Sequence, residues 1–275
     1  MKTIRTLALI LLTLLPTVAA AQISLVPSFV FIDERSGVGN LMVINNGTSP
    51  YEITVNFMFG YPGGDAEGNL IMVYNDSLAQ AKYGLENMIR AFPRSFLLQP
   101  QQQQTVRIQV LPQHRRNEGF FFTRMSVLAQ PQAAEITQEV AEGIGTRISF
   151  NIEQITAVFY RRGAVSTGLE IQKLEVEQSD SVLLLKPHLL RTGNAPFLGS
   201  MFAKLRDNRG NIVAESQSTT TVYFGVIRPI QLLVEQLPSG KYTLELSFES
   251  QRNDMRADHL VQMPRLVHTQ EILLE

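Results

Sequence analysis

Four histidines and a scatter of carboxylates are the groups in this chain best suited to acid–base or metal chemistry, and their spacing argues against both. His114, His188, His259 and His268 lie far apart, none in a metal-binding arrangement such as HExxH. Asp33-Glu34 sits at a turn, Asp65 and Glu67 in a glycine-rich loop, and Glu175 and Glu177 at alternate positions of one strand. Paired acids act on a glycoside only at a defined separation across a cleft, and nothing in these spacings sets one. The absence of cysteine removes thiol nucleophiles and thiolate metal sites. There is no nucleophile elbow, P-loop or dinucleotide fingerprint, so Gly37-Val38-Gly39 and Gly143-Ile144-Gly145 read as turns or loop hinges. The expectation is a protein that is not an enzyme, with no catalytic residue, cofactor, metal or small-molecule substrate. A formal charge of -1 offers no concentrated basic face for nucleic acid.

What remains is the chemistry of the backbone. In the stretch ISFNIEQITAVFYR, residues 148 to 161, Ile148, Phe150 and Ile152 put three large apolar side chains on one face of an extended segment. Period-two alternation marks a half-buried β-strand. At a sheet edge such a strand also carries N–H and C=O groups that a partner's sheet can use. Two readings stay open here: a strand offered to another protein, or one more strand of the chain's own sheet. The preceding connection holds Ile136, Val140 and Ile144, spaced by four. On a helix they form one stripe; if the segment extends, Ile144 joins the face of Ile148, Phe150 and Ile152.

The elements that must position this stretch read as β throughout. Residues 1–21 read as a signal peptide: Lys2 and Arg5, an apolar run from Leu7 to Leu15, and the small-residue site Ala19-x-Ala21, so the mature chain is expected to begin at Gln22 as an exported protein. An exported chain without disulfides is stabilised by buried apolar area alone, and a 44% hydrophobic composition allows that. Short alternating segments with turn signals between them predict strands near 24–32, 39–45, 51–61, 105–111 and 118–129. The run Phe120-Phe121-Phe122 reads as core filling. Residues 62–90 have no clear period. A second series of six or seven strands begins after residue 164, with tight turns at Asp207 to Asn211 and Leu237 to Gly240. The fold expected is all-β: an immunoglobulin-like sandwich over 22–163, a second over 164–250, and 251–275 as a tail or terminal strand.

Several segments, in order, give the first half a family resemblance. They are Ile23-Ser24-Leu25; Asn40 to Gly47 followed by Pro50-Tyr51; Pro93, Leu98, Pro100 and Gln104-x-Val106-Arg107; Glu118-Gly119-Phe120-Phe121-Phe122; and Val158-Phe159-Tyr160-Arg161. Together these resemble the periplasmic pilus assembly chaperones of the PapD type, over about residues 22 to 165. The resemblance implies that the strand ending in FYR caps an incomplete fibre subunit by donating Ile148, Phe150 and Ile152, with Ile144 as an extension. It implies pilin or fibre subunits as partners and delivery to an outer-membrane usher.

It also implies an arginine on the first strand and a lysine just before FYR to hold the subunit's terminal carboxylate. Here Phe29 and Ala157 stand at those positions, and neither can bind a carboxylate. Arg147, Arg161 and Arg162 are the nearest cations and the anchoring candidates. One alternative is a structural or adhesive immunoglobulin-like envelope protein whose 148–161 strand is internal. Another is a carbohydrate-binding sandwich, although the chain has no tryptophan to serve as a platform.

Overall fold

A computed structural model describes residues 22–114, 118–132 and 150–274. Residues 1–21, where a signal peptide is expected, the stretch holding Ile136, Val140, Ile144, Arg147 and Ile148, residues 115–117 and Glu275 lie outside the described residues.

The first sandwich packs two sheets face to face. One sheet has the order β1-β3-β9-β7, with β1 at Ile23–Val26, β3 at Val38–Asn45, β7 at Ile89–Phe92 and β9 at Gln103–Val110. The other has the order β2-β11-β10-β4-β8, with β2 at Phe29–Ile32, β4 at Tyr51–Met58, β8 at Ser95–Leu98, β10 at Gly119–Pro131 and β11 at Ile152–Arg162. The chain therefore changes sheets between Val26 and Phe29. Alternation explains the packing: Leu41 and Val43 of β3, and Val106, Ile108 and Val110 of β9, are fully buried while their neighbours face out. Each such side chain contributes about 1.5–3 kcal/mol by leaving water.

The second sandwich is built the same way, from β12 (Thr167–Gln178), β13 (Val182–Gly193), β16 (Gly225–Ile227) and β17 (Ile230–Leu233) against β14 (Phe197–Arg206), β15 (Ile212–Val222), β18 (Gly240–Glu249) and β19 (Leu266–Leu274). The second of these sheets has the order β15-β14-β18-β19, and Leu205, Leu244, Leu246 and Phe248 fill the space beneath it. The turn joining β14 to β15 is set by Asp207, whose carboxylate accepts the backbone N–H groups of Arg209 and Asn211, each at 2.9 Å. The chain is thus two immunoglobulin-like sandwiches in tandem, the all-β class expected. Its last residues form β19, antiparallel to β18.

The unread stretch 62–90 is a structured excursion of the first sandwich. The strand expected to run to Tyr61 stops at Met58, and Tyr61 opens a hairpin of β5 (Tyr61–Gly64) and β6 (Leu70–Val73). A single helix, α1 (Ser77–Tyr83), follows. Asp76 caps it, its carboxylate accepting the Ala79 N–H at 2.9 Å and the Tyr61 hydroxyl at 2.7 Å.

Those two bonds, the Ala79 N–H first, hold the Asp76 carboxyl below its usual range. Burial, and then Asp76 itself, push the Tyr61 phenol up. Asp76 therefore contributes stability above its ordinary pKa of 3.8 that is lost as the pH falls, and Tyr61 contributes stability below its ordinary 10.0 that is lost as the pH rises. Asp76→Ala is expected to cost about 1–2 kcal/mol at neutral pH. In urea unfolding, the gap to the parent protein should narrow below about pH 4 and above about pH 10.

A third apolar cluster joins the two sandwiches. Phe59, Tyr61, Tyr83, Phe122 and Phe159 of the first half meet Leu198, Tyr223 and Leu260 of the second.

Candidate functional site: the unpaired half of β11

β11 is paired along its whole length on one side, antiparallel to β10 from Ile152↔Ala129 to Arg162↔Gly119. On its other side β2 runs parallel to it only from Ala157 to Tyr160. Among the described residues, no strand is paired along that edge from Ile152 to Thr156. This half-strand is steadied by side chains instead. The Gln154 side-chain amide donates to the Ile23 carbonyl at 2.7 Å, and the Thr156 hydroxyl donates to the Ser28 carbonyl.

The two faces of β11 do different work. Its even-numbered side chains point into the first sandwich: Val158 and Tyr160 are buried there, and Ile152 packs half-buried at the margin of the same core. Two residues earlier, Phe150 is 72% exposed, a large apolar side chain without cover. Its odd-numbered side chains Ala157 and Phe159 belong to the cluster between the sandwiches. Ile148, Ile144 and Arg147 lie outside the described residues.

The positions where the resemblance puts a carboxylate anchor are neighbours here and are closed. Ala157 and Phe29 are register partners. Ala157 is buried, Phe29 packs against the interdomain cluster, and the Arg252 guanidinium lies 5.5 Å above the Phe29 ring. Arg252 is itself engaged, donating to both Asp254 carboxylate oxygens at 2.8 and 2.6 Å and to the Thr221 hydroxyl at 3.0 Å.

Of the other candidates, Arg161 reaches across to the second sandwich, donating to the Asp258 carbonyl at 2.5 Å and the His259 carbonyl at 3.5 Å. It lines a cleft of about 350 Å³ with Asp33, Glu34, Arg35, Asp258 and His259, so charges of both signs face one another there. The His259 ring stacks on Phe31 at 4.2 Å, and burial holds its pKa below the usual value despite the nearby Asp258 carboxylate. Arg162 stands next to this cleft, in register with Gly119.

Sequence reasoning missed the aromatic contact between the sandwiches. The signal that was present is Phe120-Phe121-Phe122: alternation sends Phe121 into the first core and Phe120 and Phe122 into the interdomain cluster. Tyr223-Phe224 and Arg191, which complete that contact, carry no pattern of their own.

No model of a known protein family matches the chain, and no curated protein matches it. Among solved structures it is similar to the YadV chaperone, at 11% identity and a TM-score of 0.45 over 90% of this chain and 100% of that one. It is similar to a chaperone–tip adhesin complex of CFA/I fimbriae biogenesis, at 11% and 0.46 over 91% and 99%. A third is the Salmonella enterica SafA pilin in complex with the SafB chaperone, at 13% and 0.41 over 94% and 99%. The assignment of two tandem immunoglobulin-like sandwiches rests on the strand order and register described above.

Proposed function

We propose that this protein is a periplasmic, non-enzymatic chaperone that caps subunits of pili or related surface fibres by donating the first half of β11, and hands them to an outer-membrane usher. The observation that carries this reading is the combination of an edge from Ile152 to Thr156 that is unpaired among the described residues with an exposed Phe150 leading into it. A sandwich that lacks one strand exposes an apolar groove and aggregates through it. A donated strand supplies main-chain hydrogen bonds for affinity, while Ile148, Phe150 and Ile152 enter successive pockets and set register. Ile144 extends the same face. With Phe29 and Ala157 closed under the second sandwich, those pockets carry the register that a buried cation would otherwise fix; Arg147, Arg161 and Arg162 remain the anchoring candidates.

That closure also favours a second reading, a structural or adhesive envelope protein that donates nothing. Copurification from the periplasm separates the two. Phe150→Asp with Ile152→Asp is expected to reduce the captured fibre subunit by roughly tenfold or more, because a charge must then be buried in each of two pockets. Phe150→Asp alone, at a site with no native packing to lose, guards against a folding defect. Undiminished capture by both folded variants would overturn the donation reading.

A further inference from the structure

We propose that the excursion at residues 59–85 is a brace that sets the angle between the two sandwiches, with Arg191 as its positioning residue on the second. Residues 163–166 link β11 to β12, and Gly163 there has φ +70°, a conformation that leaves the link a point about which the halves can turn. Two domains joined this way move relative to one another unless a large apolar interface prevents it. The excursion supplies much of that interface, beside the contacts that Phe31 and Arg161 make with residues 258–259.

It is a single unit: the Tyr61–Asp76 bond ties the hairpin to α1, and the Leu85 N–H donates to the Phe122 carbonyl at 3.1 Å, fastening its end to β10. Its outer surface is moulded to the second sandwich. The Arg228 guanidinium donates to the Gly63 carbonyl at 3.1 Å. A Cβ on Gly64 would lie 2.8 Å from the Val226 side chain, and one on Gly68, where φ is +88°, would lie 2.6 Å from Pro229. The Tyr61 ring stacks on Tyr223 at 5.6 Å and meets Phe224 edge-on at 4.8 Å.

Arg191 closes the contact. Its guanidinium lies 5.0 Å from the centres of both the Tyr83 and Phe224 rings and donates to the Tyr83 hydroxyl at 2.9 Å. Its Nε and Nη1 atoms are buried without a hydrogen-bond partner, so the flat stack and the Tyr83 hydroxyl hold it there. A lysine has neither the plane nor the fork to do this. Because Ala157 and Phe159 of β11 share the cluster, fixing the angle also sets how the second sandwich lies against the β2-paired half of β11, which adjoins Ile152 to Thr156. That consequence rests on the donation proposed above; the brace itself does not.

The chain has no cysteine, so two label sites can be introduced cleanly at exposed positions, Glu52→Cys on β4 and Lys241→Cys on β18. With spin labels at both, double electron–electron resonance on the full chain is expected to give one narrow distance distribution. Adding Arg191→Ala, Arg191→Lys or Tyr83→Ala is expected to at least roughly double its width, while circular dichroism stays native. Should Tyr83→Ala fail to fold, the two Arg191 variants carry the test. A width unchanged by Arg191→Ala, or restored by Arg191→Lys, overturns the brace with Arg191 as its positioning residue. Copurification of the same variants isolates the dependent claim: a broadened distance with undiminished subunit capture supports the brace and separates it from donation.

Discussion

Phe122→Ala is expected to lower the stability of this protein by about 3–5 kcal/mol. The ring sits at the centre of the interdomain cluster, 4.6 Å from Tyr223, 5.4 Å from Phe59, 5.9 Å from Tyr83 and 6.2 Å from Tyr61. These neighbours come from the excursion and from the second sandwich, so no single element can move in to fill the hole. The cavity term therefore stays close to its upper range, whereas a site lined by one flexible segment would relax. Urea unfolding followed by tyrosine fluorescence measures the loss, and Phe122→Leu should retain more than half of the stability that alanine forfeits. A deficit below about 1 kcal/mol for Phe122→Ala would mean that the cluster contributes little to holding the halves together.

Asn45→Leu is expected to cost roughly 2–4 kcal/mol even though it adds apolar volume at a fully buried site. The amide of Asn45 donates to the Ser49 carbonyl at 2.8 Å and to the Leu98 carbonyl at 3.2 Å, while its carbonyl oxygen accepts the Gly47 N–H at 2.9 Å. The side chain thus closes the turn between β3 and β4 and joins it to the end of β8, which lies in the opposite sheet. Leucine would leave all three backbone groups without that partner, and the Leu98 carbonyl among them is buried away from water. The effect should fall on the first sandwich alone: hydrogen exchange of β3, β4 and β8 amides should quicken, with β14 and β18 unchanged. Equal protection in the variant would show that water replaces the side chain at little cost.

Much of the architecture can be read along the chain because a half-buried strand repeats every two residues. β3, β9 and the turn at Asp207 carry local patterns strong enough to name their structure, and so does the division into two series of strands. The excursion resisted that reading for a physical reason. β5, β6 and α1 are too short to develop a period, and the face they bury is covered by residues more than a hundred positions further along, such as Tyr223 and Arg228.

The same division applies to the site. Local sequence determines that Phe150 and Ile152 share a face, since alternation is a property of the extended backbone, and it determines that Phe29 and Ala157 cannot bind an anion, since neither carries a donor. Which edge of β11 has a neighbour is decided only in three dimensions, because it depends on where β2, more than a hundred residues away, begins its pairing. So too is the fate of Phe29 and Ala157, which are covered because the second sandwich is held against them by aromatic contacts that no stretch of sequence encodes alone.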